Sequence, residues 1–354
     1  TSIFMRNLFI VLFAVMLTGA GCFGSSSTGG AGDGGIFKTS NAGEDWSQTV
    51  VVPTAQGLGT LAGSNVLNME MDPQDNTYLY IGTRANGMLY SEDAGSSWRQ
   101  PEYAALQSGT IYAVEVDPKD VCSLYVAKGS RLYHTSDCMR SFDNEVYVEN
   151  RSGVNVIQVA IDWYDSDNIW VGLSNGDVLL SQDGGGSWQT SLQTGGEISE
   201  IIVSNGDSRQ ILASTFKGGV YRSDDRGDSW EKIKDQIKEL KNADDVFSLV
   251  QSDDGGVVIA ATQYGLLRSE DFGATWSEIS LISSPGQLTI RAVAIDESRP
   301  STIYYASNAA FYHSTDGGKT WNTERFPSNR IPRAMLVDPD DSSVLYVGVA
   351  TSTD

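Results

Sequence analysis

Six aspartates recurring at near-regular intervals are the residues of this chain whose type and spacing most invite a chemical reading: Asp93, Asp137, Asp183, Asp225, Asp271 and Asp316. Periodic carboxylates could ligate a metal or share acid–base work. Each stands in a common frame, Ser/Thr-x-Asp-x-Gly-x-x-Trp, as in Ser91-Glu-Asp-Ala-Gly-Ser-Ser-Trp98 and Ser314-Thr-Asp-Gly-Gly-Lys-Thr-Trp321. A further copy, Thr39 to Trp46, opens the series with Asn41 in the Asp place, and the copy at Thr135 to Phe142 has Met139 for Gly and Phe142 for Trp. A catalytic group is needed once, whereas a scaffold group is needed in every unit. The frame is also a turn recipe. Asp and Ser/Thr side chains accept backbone N–H bonds, Gly supplies positive φ, and Trp brings a large packing body. The aspartates therefore read as turn staples.

The remaining reactive residues are few. His134 and His313 are the two histidines, each just before a motif copy, so neither a His-based triad nor a zinc site is indicated. The acidic turns after the inner strands, such as Asp72-Pro73, lack the closing Glu of a calcium loop. Neither metal nor cofactor is expected. Glu70, Glu115 and Glu200 lie within apolar runs and could be recruited as a hydrolytic carboxylate pair, although nothing raises them above other acids. Cys122 and Cys138 fall in two turns that a four-stranded blade would place on one face, so a disulfide between them is expected, free thiols being the alternative.

These residues need a scaffold. Copies of the motif start 42 to 52 residues apart, a period that signals a β-propeller with one copy per blade. Short apolar runs between turn residues flank each copy, for example Val156 to Asp162, Asn168 to Leu173 and Asp177 to Ser181. The expected fold is all-β: a seven-bladed propeller of four-stranded antiparallel blades over residues 36–354. Ile36 to Ser40 forms a third strand with no first or second before it, and Arg333–Asp338 and Val344–Gly348 form a first and second with no motif after them. The two ends should share one blade. Glu231 to Asn242 reads either as a short amphipathic helix or as a longer outer strand and a charged loop.

Aligning the units by the residue that ends each innermost strand brings Leu67, Tyr112, Ile157, Ser199, Phe247, Arg291 and Arg333 to one ring, and Asn68, Gln158 and Glu200 to the next. Arg291 and Arg333 fall in adjacent blades and form a candidate carboxylate clamp, with Tyr112 and Phe247 as apolar walls and Glu200 beside them. The alternative is that each Arg pairs with a nearby acid.

The motif resembles the Asp-box, or BNR repeat, of sialidases, sortilin-type receptors, xyloglucan-hydrolysing propellers and photosystem II assembly factors. Ile290-Arg-Ala-Val-Ala-Ile-Asp296 and Ser314 to Trp321 are most similar to the sortilin and assembly-factor type. The resemblance implies Asp-boxes remote from the ligand face and a non-catalytic binding or assembly role, with a protein or glycan ligand. It also leaves a glycoside hydrolase of the xyloglucanase or sialidase kind as the alternative. Arg330-Ile331-Pro332 echoes a sialidase motif, but that motif precedes the Asp-boxes and this one follows them, so it reads as a chance match.

The N-terminal segment reads as a targeting leader over residues 1–22. Leu8 to Leu17 is an apolar core too short to span a bilayer, and Thr18-Gly-Ala-Gly-Cys22 resembles a lipoprotein processing site with Gly19 where Leu is usual. Cys22 is the expected lipidation site, with an ordinary signal peptide as the alternative. Residues 23–35 form a Gly/Ser linker suited to a tether. An exported, membrane-anchored monomer of the cell envelope is expected. The formal net charge of −21, from 24 Lys plus Arg against 45 Asp plus Glu, disfavours nucleic acid and anionic lipid surfaces as partners.

Overall fold

A computed structural model describes residues 32–142, 145–233, 237–308 and 310–352. The leader, Cys22 and most of the linker lie outside the described residues.

The alternating apolar runs become the strands of seven blades. Blades are numbered here by their innermost strands, which begin at Val66, Ile111, Val156, Ile198, Val246, Ala292 and Ile331. Each innermost strand packs beside the next, and the seventh returns to the first, so the ring is closed. Six blades are four-stranded antiparallel sheets. In blade 1 three strands pair, and an isolated bridge between Tyr90 and Arg99 stands in the fourth place. Second strands such as Leu79–Thr83 and Ile169–Leu173 are buried throughout, as expected of a strand sandwiched between two neighbouring blades.

Blade 7 is the shared one. Gly35–Thr39 pairs with Leu345–Ala350 from Gly35↔Val349 to Thr39↔Leu345, giving a sheet made of both chain ends. The apolar core is correspondingly divided into seven clusters, one at each blade interface. Closure buries two sheet edges that would otherwise be exposed.

Two local features depart from the repeat. A hairpin, Val51–Thr54 with Gly57–Thr60, is inserted after the first Asp-box. After the outer strand Glu231–Ile233, residues 237–245 form turns and no helix, with Ile237 and Ala243 buried against Val246. Residues 234–236, in the middle of this segment, lie outside the described residues.

Candidate ligand face and central channel

The turns sort onto two faces. Turns between first and second strands share one face with the Asp-boxes, which are the turns between third and fourth strands. The connections between second and third strands, and those between blades, form the opposite face, called the entry face below.

Each Asp-box is a closed hydrogen-bonded turn. In blade 1 the Ser91 hydroxyl donates to Asp93 Oδ1 (2.8 Å) and accepts from the Gly95 N–H (2.9 Å), while Ser97 donates its N–H to Oδ1 (2.8 Å) and its hydroxyl to Oδ2 (2.7 Å). The same bonds recur around Asp137, Asp183, Asp225, Asp271 and Asp316. Both carboxylate oxygens are thus engaged within the turn. Bonds from Ser141 hold Asp137 down to about 2, and bonds from Thr320 hold Asp316 down to about 2. The box Gly also needs space. A Cβ on Gly318 would sit 2.3 Å from Ile279 of the preceding blade. The Trp ties blades together: Trp98, Trp188 and Trp321 donate their indole N–H to the carbonyls of Thr49, Val146 and Ser280 in the blade before.

The degenerate third box keeps the turn. Met139 adopts a φ of 63° where the other boxes have Gly, while Cys138 at 58° holds the place that Ala42, Ala94, Arg226 and Phe272 hold at similarly positive φ. Cys138 is bonded to Cys122 of the neighbouring turn, and its N–H donates to the Cys122 carbonyl (3.0 Å). Phe142 stacks on Tyr103, 5.2 Å between ring centroids.

Charge is segregated between the two faces. Every turn between first and second strands, and every Asp-box turn, carries at least one carboxylate. Among the described residues the lysines and arginines in those turns are Lys119, Arg140, Arg209, Arg226, Arg299 and Lys319. On the entry face Arg84, Lys128, Arg131, Lys217, Arg291 and Arg333 are interspersed with the acids. The strongly acidic character of the chain therefore belongs mainly to the Asp-box face.

Innermost strands carry a β-bulge near their start on the entry face in six blades, at Leu67, Tyr112, Ile157, Ser199, Phe247 and Arg333. Arg291 holds the equivalent place just before Ala292–Ile295. A bulge leaves its residue out of the ladder and re-aims its side chain, so the ring aligned from sequence is a ring of re-aimed residues. The structure brings Arg291 and Phe247 together, the guanidinium lying over the ring at 4.5 Å. Phe216, on an entry-face loop, packs against Phe247 at 6.4 Å between centroids. Arg333 is the third residue of the innermost strand adjoining the one that follows Arg291. Tyr112 is elsewhere on this face, where it lines a cavity of about 390 Å³ with Thr110, Lys128, Gly129, Ser130, Arg131 and Tyr133. Only Tyr112 of that set is singled out by the ring alignment. The signal for the rest was the turn Lys128-Gly-Ser-Arg131, two cations in a chain dominated by acids.

Glu200 lies on the innermost strand of blade 4, Ile198–Val203. It belongs with Glu70, Glu115 and Glu297, whose carboxyl groups influence one another across the central channel. Each of the three strand residues keeps partial contact with water at its surface, yet is enclosed by protein on all sides, as expected in a narrow channel. Burial raises Glu115 to about 8 against the pull of the Ile161 N–H, and burial followed by the nearby Glu115 charge raises Glu200 to about 8. Burial and then Asp253 raise Glu297 to about 7. Glu70 is raised by burial and then by Glu115, Glu297 and Glu200. Among the described residues no three His, Cys, Asp or Glu are placed to share a metal ion. His134 stacks on Tyr125 at 4.3 Å and His313 lies beside Tyr304, so both histidines are packed against aromatic rings.

Arg330 is structural. Its guanidinium donates to Asp33 and to the carbonyls of Gly63 and Ser64, joining the last blade to the segment that enters the first sheet.

Comparison with known proteins agrees with this architecture. The profile of the photosynthesis system II assembly factor YCF48 matches residues 27–216, and a BNR/Asp-box repeat matches residues 312–323. Xyloglucanase Xgh74A of Acetivibrio thermocellus is 24% identical over 305 residues, covering 81% of this chain and 28% of that protein. Photosystem II assembly lipoprotein Ycf48 of Prochlorococcus marinus is 23% identical over 158 residues, covering 44% of this chain and 42% of that one. The chain thus spans well under half the length of each of these relatives. A solved structure of YCF48 bound to D1 peptide superposes with a TM-score of 0.63 at 14% identity, covering 82% of this chain and 94% of that one, which shows the shared fold. On the extent of the profile match, the chain belongs to the photosynthesis system II assembly factor YCF48 family.

Proposed function

We propose that this propeller is a non-catalytic binding protein that receives a protein segment on its entry face, tethered through a lipidated Cys22. The observation that carries the reading is the segregation of charge: among the described residues it is the entry face that combines arginine and lysine with bulge-presented aromatic rings. Arg291, braced on Phe247, and Arg333 would receive carboxylates of the segment. The solved relative bound to a peptide supports a protein ligand. The tether rests on the leader sequence alone.

A glycoside hydrolase is the second reading, favoured by the similarity to Xgh74A. Glycosidic cleavage needs one protonated and one ionised carboxyl group. Glu70, Glu115, Glu200 and Glu297, all raised by burial, are the channel carboxyl groups that would have to supply that pair.

The test is a capture experiment from the source membrane fraction with wild type and with Arg291→Ala plus Arg333→Ala, beside a hydrolysis screen on xyloglucan and sialosides. Loss of capture in the double variant, at unchanged thermal stability, supports the binding reading. Undiminished capture removes the arginine pair, and turnover of any glycan replaces the reading with the hydrolase.

A further inference from the structure

Two cavities lie on opposite faces of the molecule and differ in the charge of their linings. The one between blades 4 and 5 on the Asp-box face is lined by Asp207, Asp254 and Asp271, with Arg222 as its cation. Among the described residues the lining of the cavity on blade 2 of the entry face holds no carboxylate, although acids outnumber bases nearly two to one in the chain and Arg131 itself is ion-paired with Glu145. Its charged groups are both cationic, the Lys128 ammonium and the Arg131 guanidinium, and beside them stand the Tyr112 and Tyr133 phenols and the Thr110 and Ser130 hydroxyls.

The fold accounts for this convergence. Lys128 pairs with Ile111 at the start of the innermost strand and with Arg131 across the turn, so both cations are fixed at one end of the blade. The Tyr112 bulge turns that side chain out of the ladder. A positive φ at Gly129 keeps the turn tight, and a Cβ there would meet nothing within 4 Å, so the floor is open. Lys128 is anchored through the Ala105 carbonyl and Arg131 meets Glu145, two residues before the outer strand Tyr147–Val148, which holds each cation in place with further N–H groups to offer. Thr110 is held by its bond to the Arg84 carbonyl (2.6 Å). Partial burial lowers the Lys128 pKa, meaning its charge is incompletely solvated and gains from an incoming anion.

We propose that this cavity seats an acidic side chain of a bound protein segment, its carboxylate between Lys128 and Arg131 and its stem against the Tyr112 and Tyr133 rings. The inference rests on the entry face being the binding face and names what the segment must carry. The volume suits one side chain and its neighbours, not a whole macromolecule. A carboxylated glycan shares the anionic chemistry. The peptide is favoured because the innermost-strand bulges present an extended row of groups from Tyr112 round to Arg333, which suits an extended chain.

The probe is a fluorescein-labelled hexapeptide alternating Glu and Phe, with its Gln/Phe counterpart, followed by anisotropy on the full chain. The Glu peptide should bind more tightly than the Gln peptide. Lys128→Ala plus Arg131→Ala should weaken the Glu peptide about tenfold or more and leave the Gln peptide unchanged, since only the charged pair is lost. Lys128→Gln, which keeps the stem and the fold, should give part of the same loss. No binding of the Glu peptide, or equal binding by both probes, overturns the inference, as does tighter binding of a galacturonate oligomer in the same cavity. If the cavity variants bind normally while Arg291→Ala plus Arg333→Ala does not, the cavity assignment falls and the binding-face reading stands.

Discussion

Arg330 Nε donates to Asp33 Oδ1 at 3.1 Å, an ion pair between residues 297 positions apart. The guanidinium also reaches the Asn65 side chain (3.2 Å), and the Ser328 hydroxyl donates to the Asp33 carbonyl (2.7 Å). These bonds fasten the closing blade where the chain's two ends meet. Arg330→Ala should destabilise the fold by about 1–3 kcal/mol, chiefly because the Gly63 and Ser64 carbonyls lose a donor. Asp33 is half exposed and adds little. An unchanged urea midpoint would mean that strand pairing alone closes the ring.

Stability should fall as pH rises from 5 to 8.5. Glu115, Glu200 and Glu297 titrate at about 8, 8 and 7 in the folded state against an ordinary 4.5. A raised folded-state value means that the folded state holds protons the unfolded state releases. That contribution is complete below 4.5 and is lost as pH climbs through 7 to 8. Water in the channel reduces the effect, so a drop of roughly 1 kcal/mol or more is expected. Glu115→Gln plus Glu200→Gln should flatten the slope. An equally steep slope in that variant would place its origin elsewhere.

The acid limb comes from the Asp-boxes. Asp137 and Asp316, held down to about 2, stabilise the fold above their ordinary 3.8, and that contribution disappears as pH falls through 2. Asp316→Asn should shift acid unfolding upward in pH, read by circular dichroism. No shift would mean the turn tolerates a neutral acceptor, as the Asn41 copy does by bonding Thr39 and Asp45.

The third Asp-box should depend on its disulfide in a way that Gly would relieve. Two consecutive non-glycine residues, Cys138 and Met139, are held at positive φ. Cys122→Ser plus Cys138→Ser should lower the melting temperature, and the loss should shrink in a Met139→Gly background by about 1 kcal/mol. Additive effects in that double-mutant cycle would show that bond and turn are independent.

Trp188 and Trp46 provide a matched pair. The Trp188 indole N–H donates to Val146 (3.0 Å), whereas the buried Trp46 N–H has no partner. Replacement by Phe should therefore cost about 1 kcal/mol more at Trp188 than at Trp46. Equal losses would assign the Trp role to ring packing alone.

The blade count, the ring closure and the turn role of the aspartates were legible without coordinates, because each follows from local physics repeated seven times. An Asp-x-Gly turn closes on itself, alternating apolar runs become buried strands, and a missing first strand at one end calls for a surplus one at the other. Sequence alignment also found the ring containing Tyr112, Phe247, Arg291 and Arg333. It could not reveal the bulges that re-aim those side chains, since a bulge depends on the partner strand. Nor could it show that Glu200 joins Glu70 and Glu115, or that Lys128 and Arg131 share a cavity whose described lining holds no carboxylate. Charge segregation is likewise a tertiary property: net charge sums over the chain, but only the fold decides which turns emerge together on one face.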